Sequence, residues 1–490
     1  MFFHVAFLFI LPLLAASYHQ NASDIHALFG PSLSSEAEIL LPSYANYTEE
    51  VQQRWSRWAE PSYIGAIKVA TVQDVQNIVK IASANKIPFL ATAAGHGASL
   101  TYSAVHDGID IDLSYLRYAN LDAPNNLVTI GGGTKFLEVW DELQSAGKEI
   151  QTGTASCVGT LGATLGGGIG NLQGLHGLMI DALVSVKLVT ASGDLITVSG
   201  QENADLFWGI RGAGFNFGIV TEATFKVYDT TNNGQVMEGD LLFPASANRS
   251  IWEIIKSYDD TLPAELSLVT VVTYNRTAGE PRIILNVVYY GPQEEAMPYL
   301  EPFLELNPLR TNITMVPWNR LYAALFFAAP STACLENQYL NIAGQGLRQT
   351  DVSTYESFFA DVATFYRQHP EINGTFVASR FPNQAVLAVP DEETAYPYRD
   401  IKMHLLYQNI YPNNSTLDQI VDSFLVSSRN KFQTTSGYES FTMYGNYGHG
   451  DEGPGVWYAP RKLKRLARLK RKWDPDQLFN FNNPLPLHWS

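Results

Sequence analysis

The chain has 490 residues, 46% hydrophobic, 12% aromatic and 16% charged, with a formal net charge of −16. That apolar content supports packed cores and excludes a wholly disordered chain, and the acidic excess argues against a general nucleic-acid binder. With only two cysteines, Cys157 and Cys334, a disulfide scaffold and a Cys-rich zinc site are excluded, and no other metal-ligand pattern stands out.

The first seventeen residues read MFFHVAFLFILPLLAAS. An apolar run over 2–14 followed by Ala15, Ala16 and Ser17 predicts a signal peptide over 1–17, and with it a secreted or secretory-lumen protein. The run is short for a membrane span of about 20 residues, and no later stretch is long and apolar enough to replace it. Asn21, Asn46, Asn248, Asn275, Asn312, Asn373, Asn413 and Asn414 each open an N-x-Ser/Thr triplet. Together with the leader they predict N-linked glycans on surface loops, at Asn413 or Asn414 in the overlapping pair.

A polar segment over 18–56 comes next, and then the pattern becomes α/β. The spacing predicts a strand over 64–69 and a helix over 71–85, with Val72, Val75, Ile78, Val79 and Ala82 on one stripe. Strands follow at 88–94, 108–113, 127–130, 182–190 and 195–198. The third of these six strands alternates Ile109, Ile111 and Leu113 with Asp110 and Asp112, as a half-buried strand would. These elements define a domain over 57–229. Over 230–440 long strand-like runs (266–274, 282–290) precede helices (294–306, 354–368), which predicts α+β: an antiparallel sheet with helices on one face. The tail, 441–490, contains a run with eight Lys/Arg over 461–472 and Leu463, Leu466 and Leu469 at helical spacing, read as a packed helix with a solvated cationic face.

The phosphate-binding G-x-x-x-x-G-K-[ST], the zinc signature H-E-x-x-H and the nucleophile elbow G-x-S-x-G are all absent, and neither the glycine cluster over 166–170 nor Gly212-Ala213-Gly214 fits G-x-G-x-x-G. Three other segments carry chemistry. Ala93-Ala94-Gly95-His96-Gly97-Ala98-Ser99 follows a strand; its small residues let a ligand approach the backbone, and free amides there suit an anion such as a pyrophosphate. Residues 152–170, from Thr152-Gly153 through Cys157-Val158 and Gly162 to Gly166-Gly167-Gly168-Ile169-Gly170, have too few side chains to build a core and read as backbone around a flat ligand. In the third, Gly209–Thr221, a glycine-rich turn runs into an apolar strand that includes Ile219 and Val220.

These segments, in this order, resemble the two-part FAD-binding fold of the p-cresol methylhydroxylase and vanillyl-alcohol oxidase superfamily. Tyr444-Gly445-Asn446-Tyr447 and the ending Trp473-Asp474-Pro475-Asp476-Gln477-Leu478-Phe479-Asn480 resemble its berberine-bridge-enzyme-like branch, in particular the secreted fungal members. The resemblance implies an FAD domain of the p-cresol methylhydroxylase type over 57–229, completed by the tail, with the middle sheet roofing the substrate. It implies FAD bonded covalently to His96 through the flavin 8α-methyl, cradled by Ala94, Gly95, Gly97, Ala98 and Ser99, by Thr152, Gly153, Cys157, Val158, Gly162, Gly166, Gly167 and Gly170, and by Ile219, Val220 and Asn446. Many members carry a second, cysteinyl link, but the position of that cysteine falls on Ala155, so the resemblance implies one link, with Cys157 as a lining residue. Spacing leaves open whether Cys157 pairs with Cys334. The histidine that plant members carry in the same motif becomes Ala163. Val158 resembles the oxidase type. Tyr447, with Tyr444 beside it, matches the tyrosine that takes a proton while hydride passes to flavin N5; a phenol near pKa 10 needs surroundings that favour the phenolate or share the proton.

The activity so implied is two-electron oxidation of a small secondary metabolite, with O2 as acceptor. A secreted sugar or oligosaccharide oxidase, and a glycoprotein of the same fold without turnover, remain alternatives.

Overall fold

Thr71 opens the first long helix with a reciprocal cap: its hydroxyl accepts from the Asp74 amide, and the Asp74 carboxylate accepts from the Thr71 amide. The helix, Val72–Ala84, buries Val75, Ile78, Val79 and Ala82 on one stripe. The structure is a computed structural model and describes residues 22–490; the expected signal peptide and Asn21 lie outside the described residues.

Three sheets organise the chain. The first contains β1 (Glu38–Leu40), β2 (Tyr63–Lys68), β3 (Phe89–Thr92) and β4 (Gly108–Asp112) in the order β1-β2-β4-β3, with β4 parallel to both β2 and β3. All five residues of β4 are buried, so the expected half-buried strand is corrected. The alternation of Ile and Asp marks two covered faces. Asp112 spends its carboxylate on the amides of Gln52 and Ser114, 3.2 and 2.8 Å away. Burial, helped by the Asp112 charge, pushes the Asp110 carboxyl up to about 7.

The second sheet is antiparallel throughout: β5 (Ala119–Asp122), β6 (Leu127–Gly131), β8 (Leu183–Val189), β9 (Leu195–Ser199) and β10 (Ile219–Lys226), in the order β5-β6-β10-β8-β9. Short β7 (Lys148–Glu149) pairs with β11 (Tyr228–Asp229) beside it.

The third sheet has seven antiparallel strands: β12 (Gln235–Phe243), β13 (Leu266–Asn275), β14 (Glu280–Tyr289), β15 (Arg310–Pro317), β16 (Leu340–Leu347), β17 (Asn373–Arg380) and β18 (Met403–Ile410), in the order β15-β12-β14-β13-β17-β18-β16. Side chains alternate across a strand, so this sheet has two different faces. Leu268, Leu285, Phe376 and Leu405 pack under the helices Asn248–Ser257, Gln293–Leu304, Val352–Gln368 and Ser415–Gln433. The opposite positions, among them Val271, Ile284, Val377 and Leu406, face a cavity. This is the expected α+β architecture.

Asn248 departs from expectation. It is only 8% exposed, and its Oδ1 accepts from the Trp252 indole N–H at 2.9 Å, so the triplet there is the buried start of a helix and not a surface loop. Asn46, Asn312, Asn373, Asn413 and Asn414 are exposed and Asn275 is half-buried. Among the described residues no helix is long and apolar enough to cross a membrane.

The helix Pro460–Trp473 fastens the tail to the N-terminal half, burying Leu463, Leu466 and Leu469 in the core that holds Trp208 and Phe217. Its cationic face is not wholly solvated, as the sequence suggested, because Lys462 and Lys470 are buried. Lys470 Nζ donates to Asp474 Oδ2 at 2.7 Å and to the carbonyls of Asn216 and Phe479 at 2.9 and 2.7 Å. Asp474 also accepts from the Leu478 and Phe479 amides. Asp474→Ala leaves Lys470 buried without its counter-charge, so it should cost about 3–5 kcal/mol in urea unfolding. A loss below about 1 kcal/mol, the scale of an exposed pair, removes this role.

Candidate active site

The cavity under the third sheet is about 770 Å³. Its floor is built from the first motif, the glycine-rich segment and the start of β10; its roof from β13, β14, β16, β17 and β18; its far wall from the tail. Of the residues singled out in the sequence, Ala94, Gly95, His96, Gly97, Ala98, Ser99, Gly153, Val158, Gly162, Gly170, Ile219, Val220, Tyr444, Asn446 and Tyr447 all line it.

Four, Thr152, Cys157, Gly166 and Gly167, are not among its lining residues. Thr152 stands behind the wall with Oγ1 accepting from the Trp140 indole at 2.9 Å. Cys157 forms a disulfide with Cys334. The Val158 amide bonds back to the Ala155 carbonyl, so the chain turns there and directs Cys157 away from the direction an extended strand would give it. Gly166 and Gly167 lie under the tail motif: a Cβ on Gly166 would come within 2.0 Å of Asn446 Oδ1, and one on Gly167 within 2.6 Å of the Tyr396 ring. Residues Thr160–Leu165 form a short helix.

Gly95 adopts a φ of +69° beside the backbone of Gln53, so only glycine fits. His96 stacks against Trp55 with ring centroids 5.8 Å apart. Its Nδ1 is 3.0 Å from the Ala94 carbonyl and its Nε2 2.9 Å from that of Ala333. Burial holds the imidazole below its ordinary value, which keeps it neutral.

The Tyr444 hydroxyl is fully engaged: it accepts from Gly168 N at 3.1 Å and Asn446 Nδ2 at 2.7 Å and faces the Ala163 carbonyl at 3.4 Å. Burial pushes it up to about 12. Tyr447 lies edge-on to Tyr444 at 5.0 Å, with its Cβ against Gly344. Burial raises its phenol above the ordinary value, with the Tyr444 phenol adding to the shift. The surroundings therefore do not favour the phenolate, contrary to the first option the sequence raised.

Other wall residues carried no sequence signal. Arg54 Nη2 donates to the Gly97 carbonyl at 2.6 Å. In the roof, Asn286 Nδ2 donates to Glu238 and Asp240 on β12, at 3.0 and 2.8 Å. Burial, with Asp240 adjacent, pushes Glu238 up to about 9. The segment 325–334 closes one side and contains three successive left-handed residues, Phe326, Phe327 and Ala328, with φ of 56°, 63° and 58°. No Asp or Glu is among the cavity's lining residues.

These walls fit a flavin dinucleotide. No amide from residues 94 to 99 donates to another group among the described residues, leaving a row of donors for an anion. Nothing stands within 4 Å of where a Cβ of Gly162 would project, so the backbone there is open to a flat ring. His96 presents a neutral imidazole, and the lining includes aliphatic residues such as Val158, Ile169 and Leu406 against which a flat ring can pack.

Comparison with known proteins agrees. Residues 64–199 match a family model described as FAD binding domain, and residues 443–486 one described as berberine and berberine like. The FAD-linked oxidoreductase azaL of Aspergillus niger is 53% identical over 450 residues, covering 91% of this chain and 95% of the relative. The carbohydrate oxidase of Microdochium nivale superposes with a TM-score of 0.81 at 22% identity, over 95% of this chain and all of that one. Physcomitrella patens BBE-like 1 superposes at 0.82 with 21% identity and the same coverage. The two structural likenesses concern the fold.

Just beyond Tyr447, His449 is buried. Glu452 accepts from the His449 and Gly450 amides and the Trp457 indole, and Arg429 bridges Asp451 and Glu452. Burial alone would lower the His449 imidazole, but Asp422 and Asp451, at 3.4 and 3.3 Å, raise it to about 9. A folded value above the unfolded 6.5 stabilises the fold fully below pH 6.5, and this contribution is lost as pH rises through about 9. Unfolding free energy should fall by about 3 kcal/mol over that window in the wild type but not in His449→Gln. A slope unchanged by the substitution removes His449 as its source.

Proposed function

The chain belongs to the berberine-bridge-enzyme-like FAD-linked oxidoreductases, and from that premise we propose that it oxidises a small secondary metabolite by two electrons in a biosynthetic pathway, returns the electrons to O2, and works in a secretory compartment. It is an FAD-dependent oxidoreductase. When bound, FAD supplies a two-electron acceptor whose N5 takes hydride. His96 anchors it covalently; Tyr447 handles the substrate proton.

One observation carries this reading. A single cavity joins His96 and Tyr447 beneath a sheet face of mixed apolar and polar side chains and has no carboxylate among its lining residues. Val269, Val271, Ile284, Val377 and Leu406 suit the hydrocarbon part of a molecule, and Thr273, Arg282, Asn286, Thr375, Ser379 and Gln408 supply polar handles. A sugar needs a partner for nearly every hydroxyl, and with no carboxylate among its lining residues this cavity lacks the strongest acceptors for them. Tyr444 is a positioning residue, because its hydroxyl is spent on the glycine-rich segment. That leaves Tyr447 to meet the substrate. Since burial raises its phenol, Tyr447 rests protonated, and it takes the substrate's O–H or N–H proton, as the C–H bond breaks, only in the phenolate form, whose share grows with pH.

A panel of aromatic and polyketide-like alcohols set against oligosaccharides, read by peroxide release, tests substrate class and acceptor together. Turnover confined to oligosaccharides favours the sugar-oxidase reading, and a colourless protein favours one without turnover. His96→Ala should lose acid-stable yellow colour; covalent colour retained in that variant removes His96 as the anchor. Tyr447→Phe should keep its flavin and reduce it about 10²–10⁴-fold more slowly. With saturating substrate the wild-type reduction rate should climb with pH up to pH 10, because the raised phenol loses its proton only above its ordinary value. A plateau near pH 7, or an unchanged rate in Tyr447→Phe, removes the proton-acceptor role.

A further inference from the structure

The disulfide Cys157–Cys334 joins residues 177 apart in sequence, tying the segment 325–334 to the glycine-rich floor. The other end of this strap is held by Asp240, whose Oδ2 accepts from the Phe327 amide. Between these ties Phe326, Phe327 and Ala328 stay left-handed, a conformation that costs about 1–2 kcal/mol per residue and persists only where the surroundings enforce it. The strap ends against His96: the Ala333 carbonyl is 2.9 Å from Nε2, and Cys157 Sγ is 3.5 Å from the same nitrogen.

A neutral imidazole has one N–H, yet both His96 nitrogens face a carbonyl oxygen. Nε2 has two acceptors, the Ala333 oxygen and a disulfide sulfur, whereas Nδ1 has only the Ala94 oxygen. The proton therefore belongs on Nε2. Nδ1 then keeps its lone pair against the Ala94 oxygen, a repulsive contact that is relieved when Nδ1 bonds elsewhere.

We propose that the Cys157–Cys334 disulfide is a positioning element for flavin attachment: it holds the Ala333 carbonyl on Nε2–H and so leaves Nδ1 of His96 as the bonding nitrogen. This rests on the proposed His96 anchor. Overall, one C–H bond of the flavin 8α-methyl and the imidazole N–H bond are broken, a C–N bond forms, and the two electrons and two protons released go to O2 as hydrogen peroxide. The Nε2 proton carried by the strap is the one given up, since the ring bonded at Nδ1 is neutral again once it leaves. A strap cut free at Cys334 no longer directs its carbonyl, and the N–H can settle on Nδ1 toward Ala94, where that nitrogen has no lone pair to offer.

The test compares covalent with total flavin. Wild type and the double variant Cys157→Ser/Cys334→Ser are loaded with FAD for a fixed time. Total flavin is read from the native spectrum and covalent flavin from fluorescence of the denatured band. The variant should bind FAD but show at least a tenfold lower covalent fraction; equal fractions overturn the proposal. Should the variant bind no FAD at all, the decisive arm is wild-type full-length apoprotein from a riboflavin-limited host, loaded with and without a phosphine reductant, with thiol titration to confirm opening of the disulfide. Attachment should slow at least fivefold on reduction and recover after reoxidation with oxidised glutathione. A rate indifferent to the disulfide overturns the proposal. Wild type without covalent flavin, or His96→Ala that retains it, instead overturns the anchor beneath it.

Discussion

The site depends on how closely two distant pieces of backbone approach each other. Where Gly166 passes Asn446, one added methyl group would sit 2.0 Å from the amide oxygen. The approach lets Asn446 Nδ2 reach the Ala163 carbonyl at 2.9 Å and lets the Tyr444 hydroxyl cap Gly168 N at 3.1 Å. The same device recurs across the roof, where Gly344 on β16 accepts the Tyr447 backbone and Cβ. Tyr447 is thereby clamped from both sides without a hydrogen bond to its own hydroxyl among the described residues. Much of the glycine in this chain therefore serves protein-to-protein contact, and only part of it, as at Gly162, opens backbone to a ligand.

Electrostatics follow from that packing. Carboxyl groups are kept just behind the walls: Asp110 and Asp112 behind the first motif, Glu238 and Asp240 behind Asn286. Burial raises Asp110 and Glu238, so each pair sheds much of its charge instead of carrying two negative charges in a low dielectric. The cavity itself meets a ligand with an uncharged His96, a protonated Tyr447, amides, aliphatic side chains and the guanidinium groups of Arg54 and Arg282.

Periodicity exposed the elements whose two faces differ. The helix Val72–Ala84 and strands β2, β8 and β13 lie within a residue or two of their expected limits. The first motif and the tail motif were legible only together, through their resemblance to the motifs of a known family. What failed had a common cause, namely partners far away in the chain. Asp110 and Asp112 looked like a wet face because nothing local covers them. Lys470 looked solvated because its acceptors include Asn216, 254 residues away. Arg54, the strap and the polar roof residues left no local signature at all.

The cysteines show most plainly what local reading leaves out. Around Cys157 the chain offered Ala155 at the expected second attachment point and a thiol two residues too late to replace it, so the natural reading was a single link and an idle cysteine. In the fold that cysteine is spent on a strap whose strained backbone would otherwise relax away from the cavity. A crosslink of this kind persists in oxidising compartments and opens in reducing ones, which are the conditions a cleaved leader over residues 1–17 would select between. If the strap controls His96, the compartment that makes the crosslink also governs when the cofactor becomes permanent, and a chain held in a reducing environment would carry its flavin loosely.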